Sequence, residues 1–210
     1  MRKTSQKMLR TLKVDDAGFM SSVAQGVISF PVSMFYLGYN FMDTSNRIAN
    51  FDDRVRMADL MKRGISVNQE AQKIITIVIQ KFMLRVDMEI IQDIAKNLSG
   101  LMIGKFIFAE LTGINLGAAI SSRIMVSFTA GMVTGSLLTI GAETSRAIYT
   151  ARQLSDQYPA LYNQLRSTGD LDLLYFLVED KVKPFLDACH MADINRNEFN
   201  ELCRYFFGGL

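Results

Sequence analysis

One histidine, His190, serves the whole chain, and that scarcity removes most acid–base and nucleophilic chemistry at the outset. A Ser-His-Asp or Cys-His arrangement would have to be built on it. Its neighbour Cys189 offers no help on a helix, because adjacent residues do not share a face. Cysteine is almost as rare, with only Cys189 and Cys203. Their spacing gives neither a disulfide framework nor a zinc signature. Both fit as small core residues of a reduced protein. The chain also lacks G-x-x-x-x-G-K-[ST] and G-x-G-x-x-G, so no phosphate cradle is expected. The stretch from Asp193 to Asn197 opens like a calcium loop. Glu198 and Arg204 then stand where that loop needs glycine and glutamate, which excludes calcium. A net charge of +2 makes no case for nucleic acid. No catalytic, cofactor-binding or metal-binding residue is expected, and the chain does not read as an enzyme.

Proline occurs three times, 49% of residues are apolar and thirteen are methionine. That composition predicts a globular or partly membrane-associated chain, with methionine as adaptable core material, and the patterns along it predict an all-α fold. The amino end, Arg2 to Lys13, is basic without an acid and can serve anionic lipid or a docking partner. The uncharged run Ala17–Met42, broken by Pro31, is long enough to span a bilayer and equally suits a buried hairpin. Asp43, Thr44 or Ser45 can cap the next helix. There, Ile48, Phe51, Val55 and Ala58 recur at three- and four-residue steps and are expected to face the core. Asp52, Asp53, Arg54 and Arg56 fall largely off that stripe, and Gly64 ends the helix. Ser66 with Gln69 makes a capping-box signature. One long helix is expected from there to Asn97, about 45 Å. Its inner stripe is Val67, Ala71, Ile74, Val78, Phe82, Val86, Ile90 and Ile94. Near the carboxyl end Asp170 is expected to cap a helix over Leu171–Val182, with a kink at Pro184. The pairs Asp52/Asp53 and Asp170/Asp172 read as solvated helix ends. Asp193 or Asn195 starts a last helix with Phe199, Leu202, Cys203 and Phe206 inward. One domain, residues 1–210, is expected, with 153–210 as its soluble helical part.

The most distinctive segment is residues 98–142. Three Gly-x-x-x-Gly pairs lie in it: Gly100/Gly104, Gly113/Gly117 and Gly131/Gly135. Glycines four apart share a helix face and let a second backbone approach. Each glycine costs a helix about 1 kcal/mol relative to alanine, so such accumulation needs a reason. Ile124–Ala142 is uncharged and long enough to span a bilayer. It is bounded by Arg123 and Glu143. Ser121, Ser122, Ser127, Thr129, Thr134, Ser136 and Thr139 punctuate the region with hydroxyls, which suit a water-filled pore better than a lipid-facing anchor. Ser127 continues the smooth patch of Gly131 and Gly135 by one turn. Glu110 and Glu143 bracket the region and can give a pore cation preference. The expected architecture is therefore a helical bundle around a glycine-rich hydrophobic hairpin.

This organisation resembles small helical bacterial pore-forming toxins. It is similar to colicin-type pore domains and, more narrowly, to ion-channel effectors of the type VI secretion system. The resemblance is architectural. It implies an antibacterial effector that is cytoplasmic in its producer, exported without a classical signal peptide and inserted into the inner membrane of a target cell. It also implies a lipid bilayer, secretion machinery and an immunity protein as partners, and a homo-oligomer in the membrane. The competing readings are a soluble interaction protein, such as an immunity protein or secretion adaptor, and a resident integral membrane protein.

Overall fold

The computed structural model describes residues 2–12, 43, 45–64, 66–97, 116–131 and 144–209. Every regular element among them is helical, as expected. The elements are α1 (Arg2–Leu12), α2 (Arg47–Lys62), α3 (Val67–Met83), α4 (Met88–Asn97), α5 (Leu116–Gly131) and α6 (Thr144–Gln157). Then come α7 (Pro159–Ser167), a 3-10 helix (Leu171–Leu177), α8 (Glu179–Ile194) and α9 (Arg196–Gly208). They fall into two compact units. The first holds α1, α3 from Ile75, α4, α5 as far as Ser127, α8 from Asp180, and α9. The second holds α2, the start of α3, the end of α5, α6, α7 and the 3-10 helix.

Phenylalanine fills the first unit. Phe82 is fully buried, with ring centroids of Phe185, Phe199, Phe206 and Phe207 at 5.4, 5.9, 6.0 and 6.3 Å. Three of these pairs are edge-to-face, which aligns positive ring edges with negative faces. The last helix presents Phe199, Leu202, Cys203 and Phe206 to this core, as its spacing predicts. Asn195 starts it, accepting a hydrogen bond from the Glu198 amide at 3.2 Å. That settles the choice between Asn195 and Asp193. The basic amino end is α1, which packs against α9 and buries Met8 and Leu12. Arg2 stacks over the Tyr205 ring.

The expected continuous helix from Ser66 to Asn97 is broken. After Met83 the amides of Arg85 and Val86 bond carbonyls three residues back, closing the helix with tight turns. Asp87 then accepts from the Glu89 amide at 3.0 Å and opens α4. The apolar stripe had continued across the break, so periodicity alone concealed it. Of that stripe, Ala71, Ile74, Val78, Phe82, Val86, Ile90 and Ile94 are indeed buried.

In the second unit α6 packs against α2, α7 and the 3-10 helix. Pro159 stands at the start of α7, where its missing N–H costs nothing. Gly64 closes α2 with φ +64°, a conformation open to glycine. Two expectations fail here. Asp170 adopts φ 64° ahead of the 3-10 helix, and its side chain caps nothing. The helical break comes at Val178, while Pro184 lies inside α8. The inner face of α2 is also reversed. Ile48, Phe51 and Val55 are 82%, 65% and 45% exposed, and Ala58 is exposed as well. Asn50, Met57 and Leu60 are buried instead. Arg56 explains the orientation: its partners lie on the core side.

Candidate functional site in the glycine-rich helix

Helix α5 is the described part of the glycine-rich segment. It begins without a proline or a charge and carries Arg123 as its single charged residue. Its buried face runs through Leu116, Gly117, Ile120, Ser121, Ile124 and Ser127, with Phe128 continuing it. These positions recur at three- and four-residue steps, one face of a helix. Ser122, Arg123 and Val126 face outward. Among the described residues, no helix is long and apolar enough to cross a membrane.

Two hydroxyls sit on the buried face. The Ser127 hydroxyl accepts a hydrogen bond from Lys181 Nζ at 3.2 Å. Burial pulls the Lys181 ammonium below its ordinary pKa, with Asp180 opposing. Ser121 Oγ is buried and has no hydrogen-bond partner among the described residues. A hydroxyl left unsatisfied in an apolar setting costs about 1–3 kcal/mol. Alanine would avoid that cost and would favour the helix.

Of the residues singled out from sequence, Gly117, Ser127 and Gly131 fall on α5. Gly117 is buried on the packed face, and Ser127 is held by Lys181. Gly100, Gly104, Glu110, Gly113, Gly135 and Glu143 lie outside the described residues, as do the run 17–42 and most of Ile124–Ala142. The lysine on Ser127 was missed.

A second polar site lies in the other unit. The Arg56 guanidinium donates to three carboxylates: Nε to Asp170 at 2.7 Å, Nη1 to Asp53 at 2.8 Å and Nη2 to Asp172 at 2.6 Å. Burial works against the Arg56 charge, but its bonds to Asp172 and Asp170 outweigh it and raise its pKa. Asp172 is fully buried, and its Oδ2 has no partner among the described residues. Burial therefore pushes its pKa up, against the pull of Arg56. Arg63 reaches Asp170 Oδ2 at 3.3 Å. Arg152 reaches Asp53 at 3.5 Å and lies 3.5 Å from Asp43. The Tyr149 hydroxyl donates to Asp43 at 2.8 Å, which holds that carboxyl below its ordinary pKa. The expectation that Asp53, Asp170 and Asp172 are solvated helix ends is thus overturned. Asp172 sits in the run LDLLYFL, and a lone carboxylate between leucines was the signal for a buried ion pair.

Neither arrangement assembles a nucleophile with a base and an oriented third group. His190 is exposed, and Asp193 is held by both Arg85 Nε and Nη2, at 3.0 and 3.1 Å. Among the described residues no cluster of histidine, cysteine and carboxylate can hold a metal. Comparison with known protein families, with curated proteins and with solved structures finds no match to this chain.

Proposed function

We propose that this chain is a non-enzymatic antibacterial pore former, stored as a folded helical protein and acting on the inner membrane of a target cell. The observation that carries the reading is the unpartnered Ser121 hydroxyl on the buried face of α5. A helix that serves only as core has no use for it. A helix that later lines water regains a solvated hydroxyl there, beside the small residues Gly117 and Ser127. The reading leaves the bilayer as the site of action, with secretion machinery and an immunity protein as partners and a homo-oligomer as the conducting form. Glu110 and Glu143 remain its candidate pore charges, and Gly100, Gly104, Gly113, Gly117, Ser127, Gly131 and Gly135 its candidate packing surface.

The test is electrical. Purified protein added to planar bilayers gives discrete conductance steps, and expression directed to the periplasm depolarises and arrests a bacterial host. Ser121→Ala then separates pore from core. In a pore lined by α5 it lowers conductance while the soluble protein melts no lower than the parent. Absence of current and of liposome binding, across protein doses and voltages, overturns the proposal and favours a soluble interaction protein.

A further inference from the structure

The outward face of α2 carries a pattern that its own unit does not use. Ile48 and Val55 are seven residues apart, and Phe51 and Ala58 fall between and after them at the three–four spacing. In heptad terms, Ile48 and Val55 take the first core position, and Phe51 and Ala58 the second. All four are exposed. Single exposed apolar residues are ordinary, but a continuous seam is not. The seam has charged edges of opposite sign. Arg47 and Arg54 stand on one side, Asp52 and Asp59 on the other, and all are exposed. Among the described residues, the side chains of Arg47, Asp52 and Arg54 have no partner, and that of Asp59 has only an exposed lysine, Lys62, at 3.6 Å.

We infer that α2 pairs with α2 of a second copy of this chain, in parallel, as a short two-stranded coiled coil. The charge pattern selects both the occupant and the direction. In a parallel pair the edge residue before each heptad faces the opposite edge residue five positions on. Arg47 then meets Asp52 of the partner subunit, and Arg54 meets Asp59 of the partner subunit. Two-fold symmetry makes each contact twice. An antiparallel two-fold pair would set like edges together, Arg against Arg and Asp against Asp. β-branched residues at the first core position also favour two strands. Lys62 occupies the next such position and ends the seam after Ala58.

Two heptads are too few to form a free coiled coil, because nucleating the helix is costly. Here the fold has already formed the helix. Asn50, Asp53, Met57 and Leu60 pack the opposite side, and the bonds of Arg56 to Asp170 and Asp172 fix its rotation. The contact needs no membrane, so it stands apart from the pore proposal.

Charge exchange on the full chain tests it. Sedimentation of the parent shows mass rising from monomer to dimer with concentration. Arg47→Glu/Arg54→Glu and Asp52→Lys/Asp59→Lys each dimerise at least about 100-fold more weakly, because four attractive contacts become repulsive. An equimolar mixture of the two restores a one-to-one dimer, since opposite edges again meet. Thermal melting of each variant, unchanged from the parent, shows that the fold survives. In an otherwise native chain, Val55→Cys oxidises to a covalent dimer, because the first core positions face each other in a parallel pair. A parent that stays monomeric at every concentration overturns the inference. So does equal self-association of both charge variants, failure of their mixture to pair, or failure of Val55→Cys to cross-link.

Discussion

The two units solve the problem of holding helices together with opposite materials. The first uses rings: Phe82 is enclosed by Phe185, Phe199, Phe206 and Phe207, and the Arg196 guanidinium lies over the Phe199 ring at 5.4 Å. The second uses ions: Arg56 gathers Asp53, Asp170 and Asp172 around one guanidinium. Apolar packing is non-directional and gains with every ring buried. The ionic clamp gains less, because desolvation consumes much of the attraction, but it fixes geometry. That difference reaches the surface. The clamp sets the rotation of α2 and so turns its apolar seam outward, where hydrophobic burial alone would have turned it in.

The largest effect is expected in the aromatic core. Phe82→Ala empties a site ringed on four sides, and should cost about 3–5 kcal/mol in chemical denaturation. The same variant should expose the buried thiols. Burial pushes Cys189 up to about 11 and Cys203 up to about 12, so both are neutral and slow to alkylate at pH 8. Alkylation of the parent should therefore wait on opening, and Phe82→Ala should accelerate it. Fast labelling of the native parent would show that this core is looser than its ring contacts indicate.

Breaking the ionic clamp should come next. Arg56→Met leaves buried Asp172 without its cation and should cost about 3 kcal/mol. Arg56→Met/Asp172→Leu should recover much of that loss, because apolar residues of similar volume avoid desolvation. If the double variant is no more stable than Arg56→Met, the attraction in the clamp exceeds its solvation cost, and the contrast between the units weakens.

The acid dependence of the clamp has a definite sign. The folded pKa of Asp172 is raised above the ordinary value of 3.8. The charged form therefore penalises the folded state at neutral pH. The penalty is relieved as pH falls through the raised pKa towards 3.8. Comparison of the parent with Asp172→Asn isolates this group: the parent should gain relative stability across that window. Asp43 works the other way. Its folded pKa is lowered, so its contribution is present above 3.8 and is lost as pH falls through the lowered value. A relative loss for the parent on acidification would mean that Asp172 is better solvated than its burial implies.

These contrasts also mark what sequence could reveal. The all-helical class was legible, as were the inner stripe of α3 and the buried face of α9, because each is a long periodic pattern. The break at Leu84–Asp87 was not legible, since its apolar period runs straight through. The orientation of α2 was misread for a deeper reason. Periodicity identifies an apolar face but not its partner, and here a distant cluster of aspartates won the inside. In α5 the Lys181 contact to Ser127 joins residues far apart in sequence. No local pattern encodes such a pair.

The smallest expected effect is the most direct control on the comparison. Arg85 and Asp193 form a bidentate pair in the first unit, with bonds of 3.0 and 3.1 Å. Chemically it resembles the bonds of Arg56, and Arg85 lowers the Asp193 pKa in the expected direction. Solvent makes the difference: the Asp193 side chain is 58% exposed, whereas that of Asp172 is fully buried. Water screens an exposed pair and has already solvated both ends. Asp193→Ala should therefore cost about 0.5 kcal/mol or less, and about 1 M salt should erase even that. Arg56→Met should keep most of its cost in the same salt. A large, salt-resistant loss at Asp193 would show that burial is not what separates the two arginine clusters.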